Sequence, residues 1–301
     1  MVPSSPVAAV DSFAAYRSTL DTRAVPAPLG SRRSPVKSSS VSDPAEDQLR
    51  PWRQWYSRHW MVDQDAGEQY PAFRWGFGAF LLVEAIWVVS AMVLVAIFGS
   101  FAPGKLSPVA LLVVMAVPTI IAAAAAVLVT IVRGNGPVLD LRLRVRWSDI
   151  RVGFKLGLAG LVLTYVAALV WTKWVGQDAA RSTVGSVVSQ ARLPPLVAVL
   201  VFLQLCLLAP LCEEIIYRGL VWGAMRRMQW SRWAAFVLST AIFAVAHLEP
   251  ARTPLLLVIS VPIGLARLVT GRLAASVVAH AMNNFLPALG ILLMALGVMP
   301  P

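Results

Sequence analysis

The chain has 301 residues, of which 58% are hydrophobic and only 14% are charged, whereas charged residues make up about 25% of a typical soluble domain. This composition excludes a water-soluble fold. The net charge of +11 does not indicate nucleic-acid binding, because the basic residues lie in short clusters between apolar runs rather than on one soluble face. We therefore expect an all-α fold, a polytopic transmembrane helical bundle surrounded by membrane lipid.

Residues 1 to about 50 lack an apolar run long enough for the core of a signal peptide. Residues 1–50 are rich in Ser, Pro and Ala and predict a disordered tail. The segment 51–74 begins with PWRQWYSRHW, in which aromatic rings alternate with arginines. Rings and cations both favour the headgroup zone of a bilayer. We interpret 51–74 as an interfacial juxtamembrane segment.

Apolar runs then recur to the C-terminus, each close to the ~20 residues that a helix needs to cross ~30 Å of hydrocarbon. About seven spans are predicted, and the sequence allows six to eight. Their predicted ranges are 76–98, 107–132, 156–174, 196–225, 233–247, 255–269 and 273–298.

The charges of the loops predict the orientation of the bundle. The loop 133–155 is rich in arginine, whereas 99–106 holds only Lys105. By the positive-inside rule the N-terminus is cytoplasmic, and seven spans leave the C-terminus outside. The loop 173–194 departs from this pattern because it holds three basic residues. We expect an integral protein of a bacterial plasma membrane.

The fourth predicted span contains two adjacent carboxylates, Glu213 and Glu214, followed by Arg218. Each ionisable side chain inside a span costs a few kcal/mol, so such residues usually pair or line a cavity. Glu214 and Arg218 stand at i and i+4, which predicts an ion pair on one helical face. Glu213 points about 100° away and is available for another task. Glu84, in the first span, either pairs with a basic loop end or lines the cavity.

Two of the three histidines of the chain lie in apolar surroundings. His247 ends the fifth predicted span, and His280 shares a helical face with Asn284 in the last. Glu213 and His247 lie on either side of the turn near Met228, both roughly 22–27 Å from it at 1.5 Å per residue. Antiparallel helices would bring them to similar depth, where they could share a site.

At these residues the chain resembles the family of CAAX prenyl proteases and bacteriocin-processing enzymes. The family pattern is Glu-Glu-x-x-x-Arg, then Phe-x-x-x-His, then His-x-x-x-Asn. All three elements are present in order, with Phe243 preceding His247. The resemblance covers about 195–290. It divides the chain into N-terminal membrane helices over 75–194, a catalytic intramembrane domain over 195–290 and the end of the last helix over 291–301.

The resemblance implies an intramembrane endopeptidase that hydrolyses a peptide bond of a membrane-associated or lipidated protein. Glu213 would be the general base, with His247 helping to hold the water, while His280 and Asn284 would donate to the oxyanion. Glu214 and Arg218 would support the site. The absence of a His-Glu-x-x-His pair favours a mechanism without a metal ion. The alternative is a Zn²⁺ ion bound by Glu213, His247 and His280.

Two other functions remain open for the sequence. A non-catalytic bacteriocin-immunity or scaffold protein could keep the fold, although such a protein has little reason to bear the cost of the Glu213–Glu214 pair. A proton-coupled transporter could use the buried carboxylates and histidines. No inverted repeat is visible, however, and the polar residues are concentrated in the last four spans.

Overall fold

A computed structural model describes residues 71–99, 106–189 and 193–299 of the chain. All regular secondary structure in these ranges is helical, which confirms the expected all-α fold. The predicted tail over 1–50 lies outside the described residues, and so does the predicted interfacial segment over 51–74 except for its last four residues.

Ten helices follow one another along the described residues. In chain order they are α1 (Phe77–Phe98), α2 (Pro108–Arg133), α3 (Pro137–Asp140), α4 (Trp147–Val175), α5 (Gln177–Ala180), α6 (Thr183–Ser189), α7 (Pro195–Arg227), α8 (Arg232–Ala246), α9 (Thr253–Thr270) and α10 (Leu273–Ala295). Six of these helices, α1, α2, α4, α7, α9 and α10, are long and apolar enough to cross a membrane, which supports an integral membrane protein.

The fifth predicted span, 233–247, agrees with helix α8 within one residue at each end, and this helix is shorter than those that can cross a membrane. Helix α8 has 15 residues and is therefore about 22 Å long, less than the ~30 Å of a bilayer core. It begins where the Ser231 side chain accepts a hydrogen bond from the Ala234 amide. A loop over 247–252 continues from it and contacts the C-terminal end of α4, since the Trp171 indole donates to the Ala251 carbonyl at 2.9 Å. This hydrogen bond fixes the position of the loop against α4.

The third predicted span begins nine residues too late. Helix α4 starts at Trp147, so the charged residues assigned to a loop over 133–155 lie partly in its first turns. Asp149 makes this possible, because it accepts from the Arg146 amide at 2.9 Å and pairs with Arg272 at the start of α10. An acidic residue also suits the first turn of a helix.

Helix α7 is α-helical except at two π-helical segments, Gln204–Leu208 and Ile215–Val221. In each segment an i→i+5 bond replaces the α-helical pattern: the Ala209 amide donates to Gln204 and the Trp222 amide to Tyr217. The adjacent carboxylates of α7 lie in the short α-helical stretch between the two segments. Single π turns inside α-helices often mark functional sites.

Glycines on one face of α4 allow it to approach α9 and α10 closely. Gly153 and Gly157 pack against α10, where an added Cβ would meet Ala275 O at 2.5 Å and Met282 Cβ at 2.6 Å. Gly160 faces Pro262 in α9 in the same way. Small residues at such contacts are typical of helix packing in membranes. The glycines thus set the position of α10, which carries part of the candidate site.

Candidate active site

A buried carboxylate joins the two motifs carried by α7 and α10. Glu214 Oε1 lies 2.9 Å from His280 Nδ1 and 3.1 Å from Arg218 Nη1. The side chains of Glu214 and Arg218 are 0% exposed and that of His280 is 3% exposed. The predicted i, i+4 ion pair is therefore present. An ionised carboxylate only accepts hydrogen bonds, so His280 carries a proton on Nδ1.

The second carboxylate, Glu213, faces the other nitrogen of the same imidazole. Its Oε2 lies 3.7 Å from His280 Nε2, which is too long for a direct hydrogen bond and short enough for both atoms to contact one water molecule. The Glu213 side chain is 24% exposed, whereas Glu214 beside it is fully buried. His280 thus stands between a buried carboxylate and an accessible one.

The Phe243 ring lies at the centre of the motif residues and is itself 1% exposed. Its centroid is 4.6 Å from the His247 ring and 5.5 Å from the His280 ring. The Arg218 guanidinium lies over the ring at 4.5 Å, a distance typical of cation–π contacts. Phe243 fixes the spacing between the two histidines by packing between them.

His247 caps the C-terminus of α8. Its Nδ1 lies 2.8 Å from the Phe243 carbonyl, and with Nδ1 donating to that carbonyl the Nε2 atom is an acceptor. No hydrogen bond joins His247 to Glu213 or His280 within the described ranges. Glu213 and His280, which the sequence predicts in the same site as His247, are therefore not hydrogen-bonded to it.

Asn284 is bonded to the first π segment of α7. Its Nδ2 donates to the Leu205 carbonyl at 3.1 Å, which leaves its second N–H free for another acceptor. Asn283, which the sequence did not single out, is buried and accepts from Thr164 Oγ1 at 2.8 Å. Asn284 thus holds α10 to α7, and Asn283 holds it to α4.

Arg267 in α9 is a second residue that sequence reasoning missed. It is 2% exposed, its Nε donates to the Arg218 carbonyl at 3.1 Å, and its guanidinium lies 5.7 Å from the Trp222 ring centroid. Arg267 therefore anchors the second π segment at the residue that pairs with Glu214. A cation inside a predicted span was the signal that could have found it.

The alternative of a zinc site formed by Glu213, His247 and His280 finds no support in the part of the chain that the structure describes, where no three His, Cys, Asp or Glu side chains are arranged to hold a metal ion. His280 Nδ1 is bonded to Glu214, so its Nε2 is the ring nitrogen that faces Glu213.

Comparison with known families matches residues 195–286 to a model described as Rce1-like, type II CAAX prenyl endopeptidase Rce1-like. The matched segment contains all the motif residues from Glu213 to Asn284, and it confirms the resemblance to the CAAX protease family over these residues. A search of curated proteins and one of solved structures give no match. The match supports a CAAX-type intramembrane protease in general.

Proposed function

We propose that the protein is an intramembrane endopeptidase that cleaves a peptide bond of a membrane-associated protein with a water molecule activated by Glu213. The observation that carries the proposal is the placement of His280 between Glu214 and Glu213, at 2.9 and 3.7 Å. This arrangement gives an imidazole of fixed orientation next to an accessible carboxylate, inside a bundle of apolar helices. The family match over 195–286 supports the same activity.

Glu213 acts as the general base. It takes a proton from water, and the hydroxide attacks the carbonyl carbon of the scissile peptide bond. Glu213 then returns the proton to the nitrogen of the leaving amine as the C–N bond breaks. His247 assists, since its Nε2 can accept a hydrogen bond from the attacking water. The products are a new carboxylate and a new amine, and the atoms balance without a further reactant.

His280 and Asn284 stabilise the oxyanion that forms during the attack. With His280 protonated on both nitrogens, Nε2–H donates to the oxyanion while Nδ1–H keeps its hydrogen bond to Glu214. The four charges of Glu213, Glu214, Arg218 and His280 then sum to zero, which lowers the cost of holding them in apolar surroundings. The free N–H of Asn284, one helical turn after His280, is the second donor.

The substrate would reach the site from the lipid phase or from the interface, because the helices that carry the site are apolar on their outer faces. Leu207 and Leu211 of α7 are 53% and 42% exposed, and Phe285 of α10 is 42% exposed. A membrane-embedded or lipidated peptide suits such surroundings. We also propose that the N-terminus is cytoplasmic, since exposed arginines (Arg74, Arg144, Arg227) lie at the end of the bundle where α1 begins and α7 ends.

The proposal is tested by hydrolysis of a quenched fluorescent library of membrane peptides by the protein purified in detergent. Removing the base in Glu213→Ala should lower the rate by about 10²–10⁴-fold. Removing an oxyanion donor in His280→Ala should lower it by about 10²–10³-fold. A chelator should leave the wild-type rate unchanged, because the proposed mechanism activates the water with Glu213 and uses no metal ion. Ser90→Ala, in α1, serves as the matched control and should retain full activity.

A wild-type rate equal to that of both variants on every peptide would exclude the peptidase. The non-catalytic scaffold would then be the better description of the chain. Loss of wild-type activity with chelator, restored by added Zn²⁺, would instead require a metal site that forms only in solution.

A further inference from the structure

The segment 71–76 precedes α1, has no regular secondary structure and lies outside the family match. Two of its carbonyls accept hydrogen bonds from other parts of the chain. Asn135, which stands between α2 and α3, donates through Nδ2 to the Ala72 carbonyl at 3.1 Å. Arg227, the last residue of α7, donates through Nη1 to the Arg74 carbonyl at 2.9 Å. The segment is therefore bonded next to the ends of α2 and α7.

The Trp75 side chain of this segment fills a notch between two glycines. The residue is 2% exposed. A Cβ added at Gly223 of α7 would lie 2.7 Å from the Trp75 ring, and one added at Gly134, directly after α2, would lie 2.9 Å from it. Both distances are shorter than a van der Waals contact between carbon atoms. The glycine notch therefore holds the indole in close contact with the last turns of α7.

The Trp75 indole also bonds the backbone of α7. Its Nε1 donates to the Leu220 carbonyl at 3.0 Å, and both groups are buried. Leu220 belongs to the second π segment of α7, Ile215–Val221. In the same segment the Arg218 carbonyl accepts from Arg267 of α9. Two buried side chains, one before α1 and one in α9, thus bond carbonyls of a single π segment.

The contacts of Trp75 and those of Glu214 lie on opposite sides of the π turn. The Trp222 amide donates to the Tyr217 carbonyl, so the residues after this turn are rotated by about 100° from their positions in a regular helix. Trp75 fixes the rotation of α7 after the turn. Before the turn, Glu214 lies 2.9 Å from His280. A change in the rotation of the end of α7 would accordingly move Glu214 relative to His280.

We infer that Trp75 is a positioning residue for the reaction: by holding the end of α7 in one rotation, it keeps Glu214 and the adjacent Glu213 against His280. The inference rests on the proposed peptidase function and deepens it, because it adds a residue from outside the family match. Trp75 acts through the second π segment and not on the substrate.

The hydrogen bond between His280 and Glu214 gives a test that does not require hydrolysis. The chain has three histidines, so histidine-selective ¹⁵N labelling of the protein in detergent gives few NMR signals, and His280→Ala identifies that of the Nδ1–H group. Trp75→Phe keeps an aromatic ring in the glycine notch and removes the N–H. The Nδ1–H proton of this variant should move upfield, because its hydrogen bond to Glu214 lengthens. The control Trp87→Phe, the same change within α1, should leave the signal in place.

Hydrolysis by the same two variants shows whether the contact matters for the reaction. Trp75→Phe should lower kcat about fivefold, the factor that corresponds to one neutral hydrogen bond. It should leave KM unchanged, because the indole is buried beside α7. Trp87→Phe should keep both constants. A merely structural role of Trp75 would lower the melting temperature and leave the His280 signal and kcat at their wild-type values below the melting transition, and this result would overturn the inference.

The NMR signal separates this inference from the proposed function. An unchanged His280 signal in Trp75→Phe would overturn the inference whether or not the protein hydrolyses peptides, and so would equal shifts in Trp75→Phe and Trp87→Phe. A shifted signal in a protein that cleaves no peptide would contradict the peptidase and leave the placement of Glu214 by Trp75 intact.

Discussion

His280 Nδ1 and Glu214 Oε1 lie 2.9 Å apart although 66 residues separate them in the chain. The same oxygen also accepts from Arg218, so one buried atom joins α7 to α10 and balances the charge of a buried guanidinium. This contact makes Glu214 a structural residue as much as a member of the site.

Replacing Glu214 by glutamine should therefore lower the free energy of unfolding as well as abolish hydrolysis. The change leaves Arg218 without a counter-charge in a fully buried position, and breaking a buried pair in this way costs about 3–5 kcal/mol. Glu213→Gln is the matched control, the same chemical change one residue earlier on a 24% exposed side chain. It should abolish hydrolysis and change the free energy of unfolding by less than about 1 kcal/mol. Denaturant titration of both variants distinguishes the roles, and equal destabilisation would contradict the assignment.

The ion pair between Asp149 and Arg272 predicts that the first half of the chain stabilises the second. The pair is bidentate, with Nε–Oδ2 at 2.8 Å and Nη2–Oδ1 at 2.6 Å, and both side chains are buried. Asp149→Ala should lower the free energy of unfolding by about 3–5 kcal/mol. The double variant Asp149→Ala/Arg272→Met should recover part of that loss, because no unpaired charge remains. Arg151→Ala, an exposed change nearby, is the control and should be near neutral.

Close packing of α4 on α10 should make Gly157 intolerant of a methyl group. An added Cβ would lie 2.6 Å from Met282 Cβ and 3.1 Å from the Ala279 backbone. Because backbone must move to accept it, Gly157→Ala should cost about 1–3 kcal/mol and reduce hydrolysis by displacing His280. Gly290→Ala in α10 meets nothing within 4 Å and should be neutral or stabilising by up to about 1 kcal/mol. Melting curves of the two variants that coincide would refute this account of the glycine face.

Low pH should destabilise the loop 247–252 that follows α8. Burial raises the pKa of Glu249, but the hydrogen bond from the Thr183 amide at 2.7 Å and the charge of Arg252 outweigh it and lower the pKa below 4.5. A depressed folded-state pKa contributes stability above the unfolded value, and the contribution is lost as the pH falls through the folded value. Glu249→Gln should thus lower the melting temperature at pH 7. The melting temperatures of the variant and the wild type should approach each other as the pH falls below about 4.5. A difference in melting temperature that stays constant with pH would contradict this role of Glu249.

The sequence predicted the local parts of the site better than its assembly. Glu214 with Arg218, Phe243 with His247, and His280 with Asn284 are each spaced by four residues, so helical geometry alone places each pair on one face. The meeting of α7, α8 and α10 depended on the family resemblance. The position of His280 beside α7 depends on a contact between distant residues, its hydrogen bond to Glu214.

The errors arose where contacts between distant residues set the local structure. Asp149 was assigned to a loop because its charge ends the apolar run, whereas its partner, Arg272, lies 123 residues away. The π segments of α7 have no signature in residue type. Their released carbonyls are bonded by Asn284 and Arg267, contacts that only the folded chain contains.

The two π segments make the length of α7 as important as its composition. Each accommodates a residue that a regular α-helix would turn through about 100°. Converting the segment Gln204–Leu208 to a regular α-helix without removing a residue would therefore rotate Glu213 and Glu214 together by about 100° relative to His280. Deleting one residue within the segment would remove the π turn and keep the orientation of both carboxylates. Sequences that share this site should accordingly either keep the π turn or lack one residue between Pro195 and Glu213.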